Sequence, residues 1–243
     1  PLLLYPQGMN FYDAGVKYTT AFLGTVGNTN LSGAFICLAL PFLFIILLKA
    51  NYINIDLMGY TIYIDAGHGG YDGGATSNNV IEKDITLNAS LILGSLLEQS
   101  GYHVKYTRTK DVALSGEKTK DMHKRLKIIN EDTNILYISI HANIYPKQDV
   151  KGAQTFYNNN NDKSKMLGEF IQDYLKLEDK TNHRLSKAIK NKYIVDNAKI
   201  PGCIVELGFI SNQEDRETLT NEKALEYRML MIYLGIIKYL EYN

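Results

Sequence analysis

The run Ile-Leu-Tyr-Ile-Ser-Ile at residues 135–140 constrains the fold most, because a nearly continuous apolar stretch cannot alternate a wet face with a dry one. A strand of this kind is covered on both faces, which is the usual condition of parallel sheets with helices above and below. Residues 61–66 (TIYIDA), 103–108 (HVKYTR) and 203–207 (CIVEL) are further short runs of β-branched, aromatic and aliphatic side chains, and 152–157 adds another.

Helical spacing fills the gaps between these strands. Ile85, Ala89, Ile92, Leu93, Leu96 and Leu97 recur at i, i+4, i+7 and i+8, and Gly101 stops the pattern. Further helices are expected over 122–130, 163–175 and 225–240. Strands alternating with helices predict an α/β fold over residues 59–243, a three-layer domain with a mostly parallel central sheet flanked by helices.

Charge separates this domain from what precedes it. The 26 basic and 26 acidic residues cancel, and no stretch is rich enough in Lys and Arg to form a nucleic-acid footprint, so nucleic acid is excluded as a partner. Residues 1–58 hold only Asp13, Lys17, Lys49 and Asp56 among the charged types, which puts a boundary near Met58. Within that region, 31–48 is apolar apart from Ser32, and a helix of that length reaches about 27 Å, close to a bilayer core.

Residues 31–50 therefore read as an N-terminal membrane helix, an anchor or uncleaved signal. No A-x-A cleavage site follows Lys49, and a membrane helix tolerates Pro41. Lys17 and Lys49 flank the span evenly, so basic residues do not orient it. Residues 1–30 begin without Met, show no period and are assigned no structure. Cys37 and Cys203 form neither a disulfide framework nor a C-x-x-C pair.

The first strand runs into Gly67-His68-Gly69-Gly70-Tyr71-Asp72-Gly73-Gly74, and loops leaving strand ends are where α/β sheets bind ligands. The loop has no Walker Lys-Ser/Thr pair and no G-x-G-x-x-G spacing, which argues against a phosphate cradle. A single His on a glycine turn is as readily incidental. His141 alters that balance, since it also follows a buried strand, and two strand ends of one sheet can bring side chains within metal-ligand reach.

Two carboxylates join them. Glu82 lies three residues before Ile85 on the buried stripe, where an unpaired carboxylate is costly; the competing reading is a first-turn Glu favoured by the helix dipole. Glu206 interrupts the apolar run from Cys203 to Leu207, and a Glu there needs a partner, a structural ion pair being the competing reading. Two His and two Glu describe a His₂Glu zinc site with the fourth carboxylate free as general acid and base. No H-E-x-x-H helix is present, so the fold must assemble the ligands. His103 opens a strand beside Gly101, and His123 and His183 sit in charged segments next to Lys124 and Arg184, so the three are assigned no site; Cys203 carries no sign of thiolate activation. A Ser-dependent hydrolase is disfavoured by the absence of a G-x-S-x-G elbow.

These residues stand in motifs. Asp65-Ala66-Gly67-His68-Gly69-Gly70, Glu82, Ser139-Ile140-His141-Ala142-Asn143 and Val205-Glu206-Leu207-Gly208-Phe209-Ile210-Ser211-Asn212 resemble, in order, those of the zinc-dependent N-acetylmuramoyl-L-alanine amidases. Thr107-Arg108 with Asp111, Arg125 and residues 152–157 extend the likeness over about 60–243. The resemblance implies that His68, Glu82 and His141 bind one Zn²⁺, that Glu206 is the catalytic carboxylate, and that the substrate is the peptidoglycan amide between N-acetylmuramic acid and L-alanine. Asn143 is placed to offer amide hydrogen bonds to a muropeptide, while Arg125 reads either as a partner for a peptide carboxylate or as a helix-surface cation.

A lone catalytic domain behind one apolar segment is most similar to the membrane-anchored spore-cortex and germination-specific amidases. That likeness implies removal of cortex peptides leading to muramic-δ-lactam, attachment to the membrane through 31–48, a cytoplasmic N-terminus, an extracytoplasmic domain in the forespore or spore envelope, and an accessory protein for targeting or activation. The 30 residues ahead of the anchor depart from that layout. Competing classes are a non-catalytic cell-wall-binding module, which would lose a ligand or Glu206, and a zinc peptidase or deacetylase on another amide, which the metal site alone permits.

Overall fold

The structure, a computed structural model, describes residues 61–131 and 135–242, so the apolar segment 31–50 lies outside the described residues. The chain runs β1 (Thr61–Ala66), β2 (Thr76–Ser77), β3 (Val80–Ile81), α1 (Glu82–Gln99), β4 (His103–Tyr106), α2 (Lys118–Ile129), β5 (Leu136–Asn143), β6 (Gln154–Asn158), α3 (Asp162–Glu178), β7 (Lys187–Ile189), α4 (Tyr193–Asn197), β8 (Gly202–Phe209), α5 (Gln213–Thr220) and α6 (Glu222–Tyr242). Among the described residues, no helix is long and apolar enough to cross a membrane.

The main sheet has six strands in the order β4-β1-β5-β8-β6-β7. Strands β4, β1, β5 and β8 are mutually parallel, β6 runs antiparallel to β8, and β7 is parallel to β6. The apolar run at 135–140 does lie inside this sheet, between β1 and β8. Alternation along the strands divides the two faces. Ile62, Ile64, Leu136, Ile138, Ile140, Cys203, Val205 and Leu207 point one way, into a core completed by Ala89, Leu93 and Leu97 of α1, Leu167 and Ile171 of α3, and Met229, Ile232 and Ile236 of α6. Tyr63 and Tyr137 point the other way, against Ile129 of α2 and Ile194 of α4. The expected three layers are present.

Boundaries differ from expectation where tertiary partners extend or start an element. Strand β5 continues through His141 to Asn143 because β8 pairs alongside it, so His141 is a strand residue rather than a loop residue. Helix α1 begins at Glu82 because loop carbonyls receive its first amides: Glu82 N donates to Ala75 O at 2.9 Å and Lys83 N to Gly73 O at 3.1 Å. The short elements β2, β3, β7, α4 and α5 carry too few periodic residues to be predicted.

Leu93 is fully buried among strands and helices, whereas Leu185 is 67% exposed. Leu93→Ala should therefore lower unfolding free energy by about 2–5 kcal/mol, and Leu185→Ser should stay within about 0.5 kcal/mol, as read by denaturant titration.

Candidate metal centre

On the face covered by α2 and α4, the C-terminal ends of the central strands carry polar residues. Asp65 on β1, Ser139 and His141 on β5, and Glu206 on β8 all follow the alternation that places Tyr63, Tyr137 and Ile204 on that side. His141 and Glu206 are register partners on adjacent strands. The register shifts between His141 and Asn143, where Gly208 takes φ 145°, and pairing resumes at Asn143 with Phe209.

Glu82, the first residue of α1 and 5% exposed, joins the two histidines. Its Oε1 lies 3.0 Å from His141 Nδ1 and accepts from Ala142 N at 3.1 Å. Its Oε2 lies 3.1 Å from His68 Nε2 and accepts from Ala75 N at 2.8 Å. The imidazole rings meet edge to face with centroids 5.1 Å apart. Glycines make the room: a Cβ on Gly67 would stand 2.5 Å from the His141 ring, and one on Gly74 would stand 2.5 Å from Glu82 Oε2. His68 itself takes φ 62°, a left-handed conformation that costs a β-carbon residue on the order of 1–3 kcal/mol.

Burial raises the Glu82 carboxyl, yet hydrogen bonds from His141 and His68 outweigh it and hold the group far below the ordinary carboxylate range. Burial likewise depresses His141, but its bond to Glu82 and the charge of Glu206 prevail and raise it. One ligand atom from each of His68, Glu82 and His141 lies within 4.8 Å of the others, so two imidazoles and a carboxylate converge as a metal-donor set. That set fits a divalent cation of borderline softness, for which His₂Glu is a known zinc combination.

Glu206 stands beside this group. Its Oε2 is buried with no hydrogen-bond partner among the described residues. Burial pushes its carboxyl up, against the pull of His141. On the far side, His68 Nδ1 is 3.1 Å from Asp72 Oδ2, within ion-pair distance but out of hydrogen-bond alignment. The cleft over the site is lined by Tyr71, Lys118, Asn143, Ile144, Lys192 and Tyr193. Cys203 faces the opposite core, where burial pushes its thiol up to about 12. His123 stacks on Tyr193 with centroids 4.9 Å apart.

Arg125 is not a helix-surface cation. It is 2% exposed, and its guanidinium donates to Asp121 Oδ2, to Asp65 Oδ1 at 2.8 Å, to Ala66 O and to His68 O. Asp65 also accepts from Thr107 Oγ1 at 2.8 Å and Ser139 Oγ at 2.6 Å. Sequence reasoning missed this support. Asp65 interrupts an apolar strand in the same way as Glu206, and that signal would have found it. Asn143 lies in the cleft, its side-chain oxygen accepting from Ile144 N at 2.8 Å.

Three donors that could hold a metal ion at the strand ends of a three-layer α/β sheet, with a free buried carboxylate next to them, fit the class of metal-dependent hydrolases. Comparison with known proteins is more specific: the profile of the N-acetylmuramoyl-L-alanine amidase family matches residues 62–238, and the chain belongs to that family. The germination-specific N-acetylmuramoyl-L-alanine amidase of Bacillus subtilis is 36% identical over 194 residues, covering 76% of this chain and 82% of that protein. The CwlD amidase of Clostridioides difficile, solved in complex with the GerS lipoprotein, superposes with a TM-score of 0.72 at 37% identity over 76% of this chain and 100% of its own. An N-acetylmuramoyl-L-alanine amidase from Clostridium difficile 630 gives 0.69 at 28% identity, over 75% of this chain and 97% of its own.

Burial raises the Asp65 carboxyl, but Arg125 and the hydroxyls of Ser139 and Thr107 hold it below its ordinary value of 3.8. A depressed folded-state pKa means that its contribution is complete above 3.8 and is lost as pH falls through the lower folded value. Asp65→Asn should cost roughly 3–5 kcal/mol at pH 7, because Arg125 loses a buried partner, and should flatten the acid limb of a stability-against-pH curve measured by urea titration.

Proposed function

We propose that this chain is a zinc-dependent amidase that hydrolyses the bond between N-acetylmuramic acid and L-alanine in peptidoglycan. The observation that carries this reading is the Glu206 carboxyl, whose buried Oε2 has no described partner and whose strand position is opposite His141. A structural carboxylate in that position would be paired; an unpaired one next to a donor trio is suited to move protons.

His68, Glu82 and His141 are the residues that would hold zinc. When bound, zinc supplies a Lewis acid that polarises the amide carbonyl and lowers the pKa of its water to about 7. Glu206 takes the proton from the attacking water and delivers it to the departing L-alanine nitrogen, a role worth typically about 10²–10⁴ in rate. The Asn143 amide, whose oxygen is engaged by Ile144 N, offers its NH₂ to the muropeptide. Arg125 acts beneath the site rather than on substrate, since its donors go to Asp65, Asp121 and the carbonyls of Ala66 and His68.

The germination-specific relative supports a role in germination, for which we propose removal of spore-cortex peptides ahead of muramic-δ-lactam formation. The apolar run 31–48 supports a membrane tether, with the catalytic domain on the extracytoplasmic side where peptidoglycan lies. The CwlD–GerS complex supports an accessory lipoprotein as partner.

The test is mass spectrometry of muropeptides incubated with the purified zinc-loaded protein, the same protein after chelation, and Glu206→Ala. Stem peptides with a new N-terminal L-alanine are expected from the zinc-loaded protein and not after chelation, and from Glu206→Ala about 10²–10⁴ more slowly at unchanged zinc content. No such peptides from the zinc-loaded protein, or an unchanged rate after chelation, contradicts the reading.

A further inference from the structure

Two buried arginines converge on the loop that carries His68. From the α2 side, Arg125 donates to Ala66 O at 2.6 Å and to His68 O. From the α1 side, Arg108 donates through Nε to Ala66 O at 3.0 Å and through Nη2 to Gly67 O at 2.9 Å. Three successive carbonyls, those of Ala66, Gly67 and His68, are thereby pinned, the last belonging to the residue that takes the left-handed conformation.

Arg108 reaches further. The same Nη2 donates to Lys83 O at 2.9 Å and to Thr86 Oγ1 at 3.1 Å, both within the first five residues of the helix that Glu82 begins. Thr86 Oγ1 in turn donates to Gly67 O at 2.7 Å. One guanidinium thus bridges the loop of His68 and the helix start of Glu82, with Nη1 tied to Lys110 O at 3.1 Å.

The electrostatics of this position are adverse. Arg108 is 3% exposed and forms no ion pair among the described residues; burial and the neighbouring Arg125 oppose its charged form more than the carboxylates of Asp111, Asp65 and Asp84 support it. An arginine kept for charge would be paired with a carboxylate. Here its donors end on backbone carbonyls and a hydroxyl, so what it gives the fold is geometry, a rigid planar fork that lysine cannot reproduce.

We propose that Arg108 is a positioning residue that sets the separation of His68 and Glu82, so that the metal donors are assembled before the ion arrives. The proposal rests on the reading that His68, Glu82 and His141 hold zinc. Groups behind a metal's ligands commonly change its affinity 10- to 100-fold, and Arg108 holds the residues next to two of the three ligands, Gly67 before His68 and Lys83 after Glu82.

The test is zinc affinity of the purified protein by competition with a chromogenic chelator. The set is wild type, Arg108→Lys, Arg108→Gln, Thr86→Val and, as a control, Leu93→Ala, whose destabilisation arises in the core away from the ligands. Both Arg108 variants should bind zinc about 10- to 100-fold more weakly, Lys failing to rescue, with Thr86→Val showing a smaller loss of the same sign and Leu93→Ala staying within about twofold.

Tighter binding by Arg108→Gln with unchanged binding by Arg108→Lys would show a charge effect and overturn the proposal. So would wild-type affinity in both Arg108 variants, or an equal loss in Leu93→Ala. If the Arg108 variants do not fold, Thr86→Val decides, and wild-type affinity there overturns it. A wild-type protein that binds no zinc overturns the metal reading itself, a result distinct from each of these.

Discussion

The carboxylate of Glu82 is the interaction on which the site is built. It occupies a buried position between two imidazoles, with one oxygen toward His141 and the other toward His68, and each oxygen also receives a backbone amide. A buried carboxylate without such partners would be costly, so the surrounding chain must bring them. The glycine loop does this by approaching closely enough for Gly67 to lie against the His141 ring and Gly74 against Glu82. The same loop supplies the carbonyls that start α1, so one segment both seats the helix and shapes the site.

The sheet divides labour between its faces. The face toward α1, α3 and α6 is apolar along its length and provides the hydrophobic core. The other face is apolar only toward the N-terminal ends of its strands, where Tyr63 and Tyr137 meet α2 and α4. Toward the C-terminal ends it gives way to Asp65, Ser139, His141 and Glu206, the end at which open α/β sheets bind ligands. The rigid strands thereby hold His141 and Glu206 in register, while the loop and helix start hold His68 and Glu82.

Much of this was legible in the sequence because it breaks local rules. Glu206 inside an apolar strand and Glu82 on a buried helical stripe are anomalies that a partner must resolve, and both lead to the same site. The layers were legible because residues 135–140 cannot be wet on either face. The support beneath the site was not. Arg125 has the sequence context of a charged helix surface, with Lys124 and Lys127 around it, and only the approach of β1 turns that position inward onto Asp65. Arg108 was visible as part of a motif, but its bridging depends on where α1 passes, which spacing along the chain does not encode. Elements of two to five residues such as β2, β7 and α4 were missed for want of a full period.

The most direct test of the central claim is X-ray absorption at the zinc edge of the metal-loaded protein, alongside Glu82→Gln. The site described here predicts a first shell of nitrogen and oxygen only, at about 2.0–2.2 Å, with the outer scattering of two imidazoles and a changed shell in the variant. A sulfur shell at about 2.3 Å, or a spectrum that Glu82→Gln leaves unaltered, would place the metal elsewhere and contradict it.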